Sequence, residues 1–159
     1  MSQVEIRSYL RVGDGQFVPM EEAEFFEGDC TWVPGTIVFA IDGVEVLSFE
    51  LWDDINHLWP YVVRALEDCR REGQGERYFP DQPLLFRAEM LGSSGQMRLS
   101  VTGGGVKTMA VGPAEEIYEA VAHAALSFFP ALHRLCPPEG PADDQIIAIV
   151  KSWIGTGRT

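Results

Sequence analysis

The chain is short of positive charge, has no long hydrophobic run and uses cysteine sparingly. No apolar stretch approaches the roughly 20 residues that span a bilayer. The N-terminal MSQVEIRSYLRVGDG also lacks the basic-then-apolar pattern of a secretory leader. The cytoplasm is therefore the expected compartment. Cys30, Cys69 and Cys136 lie far apart, with no CxxC pair. That spacing predicts neither a disulfide framework nor a zinc knuckle. Cys69 and Cys136 fall near the ends of helical patterns and read as small buried hydrophobes. HExxH, GxSxG and doubled CxxC signatures are missing, so no catalytic residue, no cofactor and no metal site is assigned. The run from Gly103 to Thr108 carries a glycine-rich turn and a lysine, but Val106 separates them. A phosphate loop needs glycine beside lysine between a strand and a helix, so a hairpin turn is expected here.

The shortage of cations is uneven. Twelve Lys and Arg stand against 24 Asp and Glu, for a formal charge of −12. Between Arg11 and Arg64 there is no Lys or Arg, while 11 acids occur: Asp14, Glu21, Glu22, Glu24, Glu27, Asp29, Asp42, Glu45, Glu50, Asp53 and Asp54. From Arg64 to Lys107 the two signs nearly balance. Such a field repels phosphate backbones and anionic headgroups, so nucleic acid and membrane surfaces are disfavoured partners. It favours a basic protein surface.

What is present describes an ordinary folded protein. The 159 residues are 46% hydrophobic, 11% aromatic and 23% charged, which fits a single domain over residues 1–159 that needs no disulfide or metal to stand. Val4, Ile6 and Tyr9 suggest a first strand, with Gly13-Asp14-Gly15 as a turn. Residues 19–30 read as acidic and irregular, with Phe25 and Phe26 expected to anchor them. Residues 36–41 and 44–51 form a predicted hairpin around Asp42-Gly43.

Asp53 or Asp54 then caps a helix carrying Ile55, Leu58, Trp59, Val62, Leu66 and Cys69 on one stripe, closed by Arg70, Arg71 and Gly73. Pro60 marks a kink or a true first turn. Residues 72–83 read as a loop. Strands over 84–91, 96–102 and 106–111 make a meander. Pro113 opens a second helix striped by Ile117, Val121, Ala125, Phe128, Leu132 and Leu135, with a kink expected at Pro130. Pro137 and Pro138 stop it, and Asp143 caps a short last helix through Trp153. The expected architecture is α+β: a mainly antiparallel sheet of five to six strands, two long helices on one face and a short C-terminal helix.

Three histidines are available for chemistry. His57 follows Asp53 by four and His123 follows Glu119 by four, spacings at which a carboxylate orients an imidazole on a helix. His133 lies ten residues beyond His123, away from ligand spacing. No nucleophile accompanies any of them. Trp32, Trp52, Tyr78 and Phe79 sit at loops and element ends, where aromatic rings serve as interface anchors.

WDDINHLWPYVVRALE over residues 52–67, followed by YFPDQP over 78–83 before a strand, resembles small bacterial proteins similar to immunity proteins of polymorphic toxin systems. The similarity covers residues 36–135, and its motifs are structural. The resemblance implies a cytoplasmic acidic protein that binds a cognate toxin domain and blocks its active site. It carries over no functional residue, because such families diverge at the toxin-facing surface. The charge asymmetry itself assigns a partner-binding surface to Glu21, Glu22, Glu24, Glu27, Asp29, Trp32, Trp52, Asp53 and Asp54. Two other readings stay open. One is a small ligand-binding protein or enzyme with a pocket between sheet and helices. The other is a homodimer formed through an uncovered sheet face.

Overall fold

A computed structural model describes residues 2–138, 140 and 143–155. Two antiparallel sheets account for the strands, where a single sheet was expected. In the first, β1 (Val4–Val12) lies between β2 (Gln16–Pro19) and β3 (Pro34–Ile41), and β4 (Val44–Leu47) follows at the edge. A two-residue strand, β5 (Asp53–Asp54), pairs with the start of β3. The second sheet is a meander of β6 (Gln74–Tyr78), β7 (Leu85–Met90), β8 (Gln96–Gly103) and β9 (Val106–Pro113).

The sheet divides because β4 is short. Its register against β3 shifts between Phe39 and Ala40, and a bulge of this kind bends the strand and ends its pairing. The chain then enters a 3-10 turn at Phe49–Leu51 instead of continuing to residue 51 as a strand. The two sheets touch where Thr108 on β9 donates to the Val46 carbonyl on β4, at 2.7 Å.

Helix α1 (Ile55–Glu72) runs through Pro60 without ending. Gly73, at φ 90°, caps it in the left-handed conformation and turns the chain straight back. Residues 74–78 thereby become β6, a correction to the expected loop. Gly75 passes so close to the Ala65 carbonyl that no side chain fits between them. The QGERY sequence of β6 has no apolar alternation, so nothing in it announces a strand. Helix α2 (Ala114–Leu135) also continues through its proline, Pro130. Helix α3 (Asp144–Ser152) follows, and a further 3-10 turn at Met20–Glu22 was not foreseen.

Helix α1 lies over β6 and β7 and reaches β3, while α2 lies on β1. The helices thus bridge the sheets instead of covering one of them. Trp59 sits at their junction. Its ring stacks on Phe128 of α2 with centroids 5.8 Å apart, and its Nε1 donates to Ser8 Oγ on β1 at 2.9 Å. Tyr118 of α2 donates to the Leu66 carbonyl, and Trp153 donates to Glu67, fastening α2 and α3 to α1. One continuous apolar cluster spans both sheets and all three α-helices. Among the described residues, no helix is long and apolar enough to cross a membrane.

Cys30 and Cys136 form a disulfide with Cα atoms 5.8 Å apart, leaving Cys69 as a buried free thiol. This corrects the reading of Cys136 as a lone buried hydrophobe. With the two cysteines 106 positions apart, sequence spacing says nothing about their approach, which is made by α2 carrying its C-terminal end to the acidic segment. A loop of this length gives a stabilisation of about 4–5 kcal/mol in the chain-entropy account. Reduction, or Cys30→Ser, is expected to lower Tm by about 10 °C or more in a thermal melt. An unchanged Tm would show that the bridge does not constrain the fold.

Candidate functional site

The acidic segment is an ordered strap. Met20, Ala23 and Val33 are buried beneath it and Phe26 packs partly on the core, so small and flexible apolar residues hold the backbone down while the charged ones face out. Arg134 near the end of α2 donates to the Ala23 carbonyl at 2.6 Å. Asn56, in the first turn of α1, accepts from Val33 N at 3.0 Å and donates to the Thr31 carbonyl at 3.0 Å. His57 Nε2 also bonds to the Thr31 carbonyl, at 2.9 Å. The disulfide at Cys30 adds a covalent tie.

Along the strap, Glu21, Glu22, Glu24, Glu27 and Asp29 are exposed. Glu21 forms a solvent-exposed ion pair with Arg7 at 3.4 Å, a contact worth at most about 1 kcal/mol. Among the described residues, Glu22, Glu24 and Glu27 enter no ion pair. Asp29 accepts from Thr31 N at 2.8 Å in a local turn. Trp32 is 55% exposed, with its ring 5.5 Å from that of His57. Phe25, expected as an anchor, is 66% exposed beside Glu24.

The contrast with the rest of the surface is electrostatic. On the second sheet the charges neutralise one another: Arg77 pairs with Asp68, Arg87 with Glu76, and Arg98 with Glu89. The hydrogen bond from Arg98 holds the Glu89 carboxyl below its ordinary range, with Arg87 assisting. On the strap, by contrast, the exposed Arg7–Glu21 contact is the one ion pair among the described residues.

The structure does not bring every assigned residue to this surface. Trp52 lies beside it, with the Arg11 guanidinium 4.1 Å above its ring. Arg11 also lines a hollow shared with the strap, and its Nε is the one buried side-chain polar atom without a partner among the described residues. Asp53 is a correction. At 3% exposure it cannot face a partner. Its carboxylate accepts from Asp54 N at 2.6 Å and from Asp81 N and Gln82 N at 3.1 Å each. Gln82 in turn donates to the Trp52 carbonyl. Asp53 therefore ties residues 52–54 to residues 81–82, the two runs quoted for the family resemblance. Phe79 is likewise buried, whereas Tyr78 is exposed.

Asp53 does not orient His57, and neither Asp53 nor Asp54 caps α1 with its side chain. His123 is exposed on α2 and shares a shallow hollow with Glu115, Glu116 and Glu119. His133 meets Asp143, with Nε2 and Oδ2 2.6 Å apart. Together with His57, Arg64 and the disulfide they line a second hollow of about 390 Å³. The spacing of ten residues across three prolines gave no signal for that pair. No three His, Cys, Asp or Glu side chains converge as metal ligands among the described residues.

Burial, then the carboxylates of Asp53 and Asp81, push the Asp54 carboxyl above its ordinary value. A carboxyl raised in the folded state opposes folding wherever the unfolded chain has already lost its proton. Asp54→Asn is therefore expected to raise Tm at neutral pH, with the gain vanishing as pH falls through the carboxyl range. A gain equal at both pH values would refute this cause. Comparison with protein-family models, with curated proteins and with solved structures finds no match for the chain.

Proposed function

We propose that this protein is a non-enzymatic, acidic protein-binding module, an immunity protein that neutralises a cognate bacterial toxin domain by covering a basic surface on it. The observation that carries the reading is the fastened strap, with uncompensated Glu22, Glu24 and Glu27 beside exposed Phe25 and Trp32. Fixed negative charge speeds encounter with a cationic surface, and exposed aromatic rings give contact area at little entropic cost. Many toxins that act on nucleic acid or nucleotides present basic clefts of this complementary kind. Trp52 extends the surface through its stack with Arg11.

The Cys30–Cys136 bridge also bears on where the protein works. Disulfides persist in oxidising compartments and are rare in the cytosol. This favours an oxidising compartment over the cytoplasm expected from the sequence. Alkylation of the protein as taken from its source cell should label Cys69 alone after denaturation. Labelling of Cys30 and Cys136 as well would return the reading to the cytoplasm.

A second reading, ligand binding or catalysis, draws on one observation: His57, Arg64 and the His133–Asp143 pair line a common hollow, which lies among the helices and not in the expected cleft between sheet and helices. It requires His57→Ala or His133→Ala to change a ligand affinity or a turnover.

Charge reversal at Glu22, Glu24 and Glu27 tests the first reading. The association rate with the co-expressed basic partner is expected to fall by about tenfold or more at low ionic strength, and the difference to shrink as salt is raised. An unchanged rate would remove the strap from the interface.

A further inference from the structure

Beneath the strap lies a hollow of about 540 Å³ between the β1–β2 hairpin and residues 22–28. That size lies within the roughly 300–1,000 Å³ of clefts that enclose a ligand. Its apolar lining comes from Leu10, Val12, Val18 and Phe26, and its rim carries Glu22, Glu24 and Glu27. One cation, Arg11, also lines the hollow and keeps its charge, so the three glutamates leave the site with a net negative balance. Arg7 faces Glu21, Arg11 stacks on Trp52, and Arg134 is spent on the Ala23 carbonyl. A largely apolar cavity whose charged groups are three carboxylates and one guanidinium is net negative, and so complementary to an apolar group with positive charge on its flanks. Phe25 stands exposed on the same stretch, so the contact area continues from the hollow onto the strap, as a protein segment would need.

We propose that this hollow is an anchor pocket. It takes one apolar side chain from a segment of the basic partner that has Lys or Arg on both sides of it. The inference rests on the docking reading above and adds to it the site and the side-chain pattern recognised. The apolar side chain supplies affinity by leaving water, and the flanking cations set its register against the three glutamates.

The test uses the full oxidised chain and two labelled synthetic peptides of equal charge, one with a single leucine flanked by lysines and one with glycine in its place. Fluorescence anisotropy at low ionic strength is expected to show the leucine peptide binding about tenfold or more tightly. Val12→Trp, which fills the hollow and leaves the rim intact, should abolish that preference; Val18→Phe serves if the first variant does not fold. Replacing Glu22, Glu24 and Glu27 with glutamine should weaken both peptides alike.

Equal binding of the two peptides would overturn the pocket while leaving the acidic docking surface standing. A leucine preference that survives both filling variants would also overturn it. Failure of both peptides to bind would overturn the pocket as well, and the docking reading would then be judged by the partner's association rate with the charge-reversed strap. Loss of that rate dependence together with equal peptide binding would sink both.

Discussion

The hydrogen bond from Trp59 Nε1 to Ser8 Oγ joins α1 to β1 where both residues are buried. An indole needs a partner for its N–H when it leaves water, and the serine hydroxyl on the inner face of β1 provides one. The ring itself lies against Phe128, so one side chain fixes α1, α2 and the first sheet relative to one another. Further along α1, the Leu66 carbonyl receives Tyr118, Glu67 receives Trp153, and Asp68 receives Arg77. The two sheets meet directly where β4 and β3 approach β9, and the helix that lies across them adds a second connection.

The same helix determines the surface. Its first turn offers Asn56 and His57 to the backbone of residues 31–33, and the end of α2 offers Arg134 and Cys136 to residues 23 and 30. A segment with so few apolar residues has little drive to order itself. Fastened at both ends and bridged covalently, it presents its carboxylates on one face of the molecule. Repulsion among them is tolerated because they remain in water, where screening is strong.

Several elements were legible because they depend on nearby residues. The stripe from Ile55 to Cys69, its stop at Gly73, and the glycine turns of the meander follow from local periodicity and backbone freedom. Others were hidden for definite reasons. The QGERY strand is recruited by its neighbour β7 and the flank of α1, with no apolar alternation of its own. The end of β4 follows from a bulge that depends on how it packs. Asp53 looked like a surface acid or a helix cap, and became the acceptor for backbone groups nearly 30 residues away. Charge was readable and exposure was not: Phe25 on the strap faces water, while Phe79, the same residue type just after β6, is buried.

The sequence alone determined the antiparallel α+β character, the helical stripes and the concentration of uncompensated acid in the N-terminal third, since each is a property of neighbouring residues or of a simple sum. Tertiary structure alone decided that there are two sheets, that Cys30 meets Cys136, that His133 meets Asp143, and that the acidic segment is strapped over an apolar hollow. These depend on which surfaces close on one another over long stretches of chain. Spacing along a sequence carries no information about such distances until the core has formed.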